Sequence, residues 1–409
     1  MRKIILLLVL ALAGISISKA TVYTGTCGKN LNWVLNMEDS ILVITGEGDM
    51  DEYSSWSDVP WFKKLHYSFP MKRCYLPAGI SKISPYSFYY CTFLDSIFVD
   101  KDNPYFCDID GVLYTKDTTE LLTHPFNREY STYDIPSTVT TIGQGAFFHG
   151  RIKNITIPNN VITIEKDAFS EAKLSSVQIG NGVITIGEDA FYGTYNLTSV
   201  LFGENVVDIE MGAFSSCHLL TSINLPMSLK TIGNAAFASC DLKTLTIPDN
   251  VTTINYGAFD QNLHMTSVII GDGVTSIGAS AFSSNSELKE ITIGKSVEYI
   301  GDFAFSGYYN NLRKITCNAI NPPSMGEKVF YNRDCPNIKL YVRQESIPLY
   351  SNADQWKEFN IQSQSETQEI NEVSSSIDGA YRSRLFLLNG QIIILRGEKT
   401  YTLQGQEVK

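Results

Sequence analysis

Histidine is the side chain that most often transfers protons or holds zinc near neutral pH, and this chain has five. They are His66, His124, His149, His218 and His264, and no two of them have the spacing of a zinc-binding pair. The last three each follow a phenylalanine in a loop-like segment. We therefore expect loop-surface histidines and not a zinc centre.

Two acidic clusters are the other candidates for chemistry, as calcium ligands. They are Glu47, Asp49, Asp51 and Glu52, and then Asp100, Asp102, Asp108 and Asp110. A hard cation needs six or more oxygens from a shaped loop, and neither cluster has the spacing of a known calcium loop. We favour solvated turns over metal, and we predict no cofactor.

Motifs of catalysis are lacking in the sequence as well. It has no Gly-x-Ser-x-Gly elbow, phosphate-binding loop or His-Glu-x-x-His helix. We predict a protein that is not an enzyme, without catalytic, cofactor-binding or metal-ligating residues. An exported hydrolase whose groups converge from distant parts of the chain stays an alternative.

The eight cysteines show no metal-ligand spacing. Cys91, Cys217 and Cys240 each lie three residues after a phenylalanine of a recurring line, which indicates a column of buried thiols. Cys217 and Cys240 would lie on adjacent coils within reach of a disulfide, and whether they are paired stays open.

The elements that position all these residues belong to a repeat. The line VITIGEDAFYGTYNLTSVLF at 183–202 returns as VTTIGQGAFFHGRIKNITIP from Val139. Its phenylalanines recur every 22 or 23 residues, at Phe147, Phe169, Phe191, Phe214, Phe237, Phe259, Phe282 and Phe305. So regular a period predicts a repeat solenoid.

Each unit divides into three parts. Leu197, Val200 and Phe202 have Leu-x-x-Leu-x-Leu spacing, which predicts a short strand with alternate residues in the core. A second extended segment follows, and we expect the Ala-Phe pair to form a helical turn. One coil buries about 8 to 18 kcal/mol of apolar side chain. Ordering its backbone costs about 20 to 40 kcal/mol, so coils must stack.

The regions outside the repeat complete the domain plan. We predict a signal peptide at 1–20, an N-terminal β cap at 21–76, a solenoid at 77–361, a polar linker at 362–376 and a small β tail at 377–409. The solenoid would carry a hairpin insert at about 100–137 and a C-terminal cap at about 327–361.

Charge and hydropathy limit the partners. The net charge is −11 and becomes −14 without residues 1–20, which hold three cations and no anion. This balance argues against nucleic acid as a partner. No later apolar stretch is long enough to span a membrane. We expect a secreted or cell-surface protein after removal of the signal peptide, with no transmembrane segment in the mature chain.

Several spaced motifs resemble the BspA-like family of leucine-rich repeat proteins. They are IG-x-x-AF followed by L-x-x-I-x-IP, the opening GTCGKNLNWVL with ITGEGDM and PWF, the DGVLY insert and the closing LYV. The resemblance covers roughly 24–360. It implies a right-handed leucine-rich-repeat horseshoe or arc, export or surface display and, in some members, adhesion to host matrix or cells. The ending YTLQGQEV resembles a sorting signal.

The outward residues of the predicted strands are the natural binding surface. The middle column contains Thr156, Gln178, Leu201, Asn224, Thr246, Ile269 and Thr292. Such residues also simply suit exposed strands. We predict an adhesin-like interaction protein that binds a protein or glycan, expected to be a host extracellular-matrix or mucosal component. A cell-envelope spacer is the alternative. The ligand, oligomeric state and mode of attachment stay open.

Overall fold

The computed structural model describes residues 21–65, 71–128, 132–307 and 311–364, and beyond these the backbone of short strands between residues 383 and 408. The predicted signal peptide lies outside the described residues, as does all but the start of the predicted linker. Within them the chain forms a β-solenoid of about 12 turns, mostly strand with little helix, which confirms the predicted repeat architecture.

A sheet and a short helix form the N-terminal end. In chain order the elements are β1 (Val22–Thr26), β2 (Leu31–Asn36), β3 (Ile41–Asp49), α1 (Pro60–Leu65), β4 (Arg73–Leu76), β5 (Gly79–Lys82) and β6 (Ser96–Val99). Strands β1 to β3 are antiparallel, whereas β4 and β5 pair with β3 in parallel and β6 pairs with β4 in parallel. Trp33 and Trp61 meet edge to face in its core, at 6.1 Å between ring centroids. Short 3-10 turns occupy Trp56–Asp58 and Pro85–Phe88.

An antiparallel meander joins this end to the repeats. It consists of β7 (Phe106–Ile109), β8 (Val112–Thr115) and β9 (Glu120–Thr123), and β9 then pairs in parallel with the first repeat strand. Neighbouring residues of a strand point to opposite faces. Leu113 therefore packs into the N-terminal core, and Val112 and Tyr114 pack into the solenoid core.

Most coils contribute two strands, a two-residue strand and a longer one, whereas the coil with residues 222–225 lacks the longer strand. The strands are β10 (Thr141–Ile142), β11 (Asn154–Thr156), β12 (Thr163–Ile164), β13 (Ser176–Gln178), β14 (Thr185–Ile186), β15 (Ser199–Leu201), β16 (Asp208–Ile209), β17 (Thr231–Ile232), β18 (Thr244–Ile247), β19 (Thr253–Ile254), β20 (Ser267–Ile270), β21 (Ser276–Ile277), β22 (Glu290–Ile293), β23 (Tyr299–Ile300), β24 (Lys314–Cys317), β25 (Ser324–Met325), β26 (Lys339–Val342) and β27 (Asn360–Ser363).

Equivalent strands pair in parallel and in register. The two-residue strands continue the meander in one long sheet. The longer strands form two sheets, β11-β13-β15 and β18-β20-β22-β24-β26-β27. We call the outward side of these two sheets the strand face.

The repeat phenylalanines form one stack. From Phe147 to Phe330 the rings of successive coils lie nearly parallel, with centroids 4.8 to 5.5 Å apart. His124 stacks on Phe147 at one end, at 5.0 Å, and Trp356 and Phe359 contact Phe330 at the other. The predicted register of these side chains is confirmed.

The helical turn expected at the Ala-Phe pair is instead a run of tight turns. Alternate N–H groups bond to the next coil: Phe169 donates to Ala190 O at 2.7 Å and Glu171 to Tyr192 O at 2.7 Å. The N–H of Ser170, between them, closes a turn onto Asp167 O at 3.0 Å. An α-helix directs every N–H along its own axis and could not form these bonds between coils.

Positive φ angles make these turns feasible, and they do not fall on the recurrent glycine. Gly187 has ordinary φ, and a Cβ there would lie 2.8 Å from Ile164 O of the preceding coil. The positive φ comes two residues later, as at Asp189 (52°). Where glutamate replaces the glycine, it gains a bond: Glu210 accepts from the Glu188 N–H at 3.1 Å. The position therefore needs no positive φ and accepts residues other than glycine.

In five coils the position three residues after the phenylalanine satisfies a buried carbonyl group. Its side chain donates to the phenylalanine oxygen of the preceding coil, from Thr194 at 3.1 Å, Cys217 at 3.4 Å, Cys240 at 3.2 Å, Asn262 at 2.9 Å and Asn285 at 3.2 Å. All eight cysteines are free thiols. Burial raises the pKa of the Cys217 thiol well above its usual value, and the neighbouring Cys240 adds to the shift.

Aromatic side chains close the C-terminal end. Between β26 and β27 lie 3-10 turns at Gln344–Ser346 and Trp356–Glu358 and a short helix α2 (Ile347–Tyr350). The Trp356 indole donates to Pro323 O at 2.8 Å. A separate antiparallel sheet contains β28 (Ser383–Leu388), β29 (Gln391–Arg396), β30 (Lys399–Thr402) and β31 (Glu407–Val408). No helix in the described part of the chain is long and apolar enough to cross a membrane.

Candidate interaction surface

The structure brings six of the seven predicted surface residues together as two register-paired sets. Thr156, Gln178 and Leu201 are paired across β11, β13 and β15. The second set is paired across β18, β20 and β22, and contains Thr246, Ile269 and Thr292. All six face outward, Thr292 being half-buried and the others exposed. Asn224 is also exposed, but it lies in the coil that lacks the longer strand.

This interruption divides the strand face. Residues 222–225 make no backbone hydrogen bond to either neighbouring coil, whereas the equivalent strands β13, β20, β22 and β24 each pair with both neighbouring coils. The preceding coil has Phe202 where most coils have isoleucine, and its ring contacts Phe214 edge to face at 5.7 Å. Phe202, Val200 and Ile223 are only partly buried, unlike their counterparts. The break thus directly follows the coil in which this larger side chain replaces isoleucine.

Exposed apolar and aromatic side chains collect beside the break. Leu201 is 59% exposed and Leu219 is 52% exposed. Tyr195 and His218 stack on adjacent coils with centroids 5.4 Å apart. Sequence analysis singled out Leu201 and missed Leu219, because the loop after each phenylalanine varies in length and shows no apolar periodicity.

The middle column of the strand face is uncharged along its whole length. Beyond Thr292 it continues through Thr316 and Tyr341 to Gln362. Charge appears only in the flanking column near the C-terminal end, where Lys314 Nζ lies 3.7 Å from Glu290 and 6.0 Å from the Tyr341 ring centroid. The face therefore offers hydrogen-bonding and apolar groups instead of a field of one sign.

A group of charged residues lies at the turns before Phe169 and Phe191. Burial and, less strongly, the nearby Asp189 raise the pKa of Asp167 to about 6. Lys166 Nζ is 2.8 Å from Glu188 and opposes the shift in Asp167. No set of three or more potential ligands is placed to hold a metal ion among the described residues.

The structure corrects the prediction that all the histidines lie at the surface. His124 is buried, with 3% exposure, and burial and, less strongly, the nearby Arg128 lower its pKa to about 3. His149 is half-buried beside Glu171, with Nε2 2.7 Å from the carboxylate, and desolvation lowers its pKa. His218 and His264 are exposed, and His66 lies outside the described residues.

The acidic clusters take part in local turns and pairs. Asp108 accepts the Val99 N–H at 2.8 Å, and Asp100 accepts the Asp102 N–H at 3.0 Å. Glu52 pairs with Lys82. These three acidic residues are therefore engaged in local contacts.

Comparison with known proteins agrees with this architecture. A family model described as the BspA type leucine rich repeat region matches six copies, at residues 63–108, 140–264, 208–339 and 252–372. These segments together span more than half of the chain. No curated protein matches the sequence.

Solved structures that resemble the chain come from bacteria. A leucine-rich repeat protein from Eubacterium ventriosum is 19% identical, with 66% of this chain and 96% of that chain covered and a TM-score of 0.40. A leucine rich cell surface protein from Faecalibacterium prausnitzii is 21% identical, with 74% and 95% covered and a TM-score of 0.38. The family model, with its several matched repeats, carries the assignment. This chain belongs to the BspA-type leucine-rich repeat family.

Proposed function

We propose that this protein is an exported or cell-surface, adhesin-like interaction protein whose strand face binds an extended protein or glycan. A repeat-based interaction role suits the family, and the uncharged, exposed middle column of the strand face is the observation that carries the finer proposal. Small hydroxyl and amide side chains there lose little conformational entropy on binding. Leu201 and Ile269 supply apolar anchor points within it.

The expected partner is a host extracellular-matrix or mucosal component, and nucleic acid is disfavoured by the net charge of −11. Export is supported by the layout of residues 1–20, with cations, an apolar run and small residues in order. The adhesin-like role and the absence of catalytic activity are parts of the same proposal.

Surface plasmon resonance against immobilised fibronectin, fibrinogen, laminin, collagen and mucin tests the proposal. A charge in the middle column of the strand face should weaken binding. We therefore expect Leu201→Glu and Ile269→Glu to bind the component that binds the wild type at least tenfold less tightly than the wild type does. Ile184→Glu is the matched control, because Ile184 is an exposed isoleucine, 44% accessible, beside the other sheet.

Two results would refute the proposal. Either none of the five components binds the wild type, or the control weakens capture as much as the two strand-face variants do. Silent strand-face variants in a cell-attachment assay would favour the envelope spacer, which needs only length and anchorage.

A further inference from the structure

A cavity of about 610 Å³ opens in the N-terminal end, well away from the repeat strands. Its walls come from β1, β2 and the segment that leads from β3 into α1. The lining includes Trp33, Tyr53, Asp51, Asp58, Lys63 and Lys64. This volume is typical of sites for small molecules.

The indole of Trp33 distinguishes this cavity from a surface dent. Three tryptophans are fully buried, and two of them donate their N–H to a backbone oxygen: Trp61 to Ser87 at 3.1 Å and Trp356 to Pro323 at 2.8 Å. Trp33 Nε1 is buried and has no hydrogen-bond partner among the described residues. A buried indole N–H normally finds an acceptor, so the cavity is backed by a tryptophan whose donor is unsatisfied.

The indole is also held in place. Trp33 crosses Gly25, its partner in the β1-β2 register, and a Cβ at Gly25 would lie 2.8 Å from Nε1. Trp61 packs edge to face against the Trp33 indole. A group that reaches this part of the cavity therefore meets a rigid, preorganised wall.

The charges at the cavity are balanced. Glu52 is paired with Lys82, and Asp58 lies 3.4 Å from Lys63 and accepts from Ser54 at 2.6 Å. Of the lining charges, these pairings leave Asp51 and Lys64, one of each sign. A charged ligand would upset this balance, whereas a neutral ligand with both donors and acceptors would preserve it.

Hydroxyl groups are the ligand groups that best match such walls, since each both donates and accepts. Tyr53 Oη makes only a long contact of 3.5 Å to Cys27 O, so its hydroxyl can turn to a ligand. We propose that this cavity binds a neutral saccharide of one or two rings. The site is separate from the strand face, and the proposal stands or falls independently of the function proposed above.

Intrinsic tryptophan fluorescence of the full chain provides the test, with glucose, galactose, N-acetylglucosamine and lactose as neutral probes. Glucosamine and N-acetylneuraminic acid serve as cationic and anionic probes. We expect saturable binding of at least one neutral probe and weaker binding of both charged ones. Asp51→Asn and Tyr53→Phe should each weaken that binding by about fivefold or more.

Asp102→Asn is the matched control, because Asp102 is exposed and lies outside the cavity. Circular dichroism and thermal unfolding establish that the variants fold. The proposal is overturned if no neutral probe saturates, if a charged probe binds more tightly than every neutral one, or if folded Asp51→Asn and Tyr53→Phe bind like the wild type.

Discussion

Replacement of His124 by phenylalanine should remove an acid sensitivity from this fold. His124 is buried at the end of the phenylalanine stack, and its pKa in the folded state is about 3. In the unfolded chain the imidazole has a pKa of about 6.5. Between these values the unfolded state binds a proton that the folded state refuses, so acid favours unfolding.

The size of the effect follows from the two pKa values. Above pH 6.5 both states are neutral at this residue, and no stability is lost. By pH 4.5 the free energy of unfolding should have fallen by about 2.5 kcal/mol through this residue, at about 1.4 kcal/mol per pH unit. The phenylalanine ring preserves the stacking on Phe147 and cannot take up the proton.

Urea unfolding of wild type and His124→Phe at pH 7.5, 6.0 and 4.5 measures this. The difference in unfolding free energy should grow in favour of the variant by about 2.5 kcal/mol as the pH falls. His218→Phe is the control, since His218 is exposed. A difference between wild type and His124→Phe that stays constant with pH would refute the reasoning, because the imidazole would then titrate alike in both states.

Three further predictions concern the interior and the break in the strand face. Phe214→Ala should lower the free energy of unfolding, measured in urea, by about 3 to 5 kcal/mol, because the ring is fully buried between two others. Phe93→Ala, at a 49% exposed site, should lower it much less. Equal losses would contradict a stabilising role for the phenylalanine stack. Asp167→Asn should raise the unfolding free energy at pH 7.5 by about 1 to 2 kcal/mol and by little at pH 4. The charged carboxylate destabilises the folded state above its raised pKa of about 6, with partial screening by solvent, and this destabilisation disappears as protonation proceeds below that pH. A gain that persists at pH 4 would speak against titration as the cause. Hydrogen exchange at residues 222–225 should be much faster than at Ser267–Ile270, which is paired on both sides, and equal protection would disprove the break.

The repeat architecture was predictable because its information is local and recurs. Each unit has the same apolar spacing, so an ambiguous assignment in one unit is resolved by comparison with the next. The positions of Phe169 and Ile186 can therefore be predicted without knowledge of distant contacts. The outward residues followed from strand alternation alone. Strand alternation therefore predicts that Thr246 and Ile269 lie on one face, as they do in the structure.

The remaining features depend on sizes and ends, which spacing does not encode. Phe202 obeys the apolar pattern, and only the structure shows that, unlike the isoleucines of other coils, it is partly exposed. His124 reads as a polar loop residue, although the phenylalanine stack needs a planar ring to cover its first member. The positive φ angles fall on Asp189, Ala235 and Phe303 as readily as on glycine, because bonds between coils outweigh their local preference.

The strand β8 has a consequence for how such a protein can change its length. Leu113 packs in the N-terminal core and its neighbours Val112 and Tyr114 pack in the solenoid core, so β8 contributes side chains to both cores. Duplication or loss of a whole coil between Phe169 and Phe282 leaves every remaining coil with an equivalent neighbour. A recombination point within β8 would remove buried side chains from both cores at once. We therefore expect the fold to tolerate gain or loss of coils in the middle of the array, and not a change that divides the N-terminal end at β8.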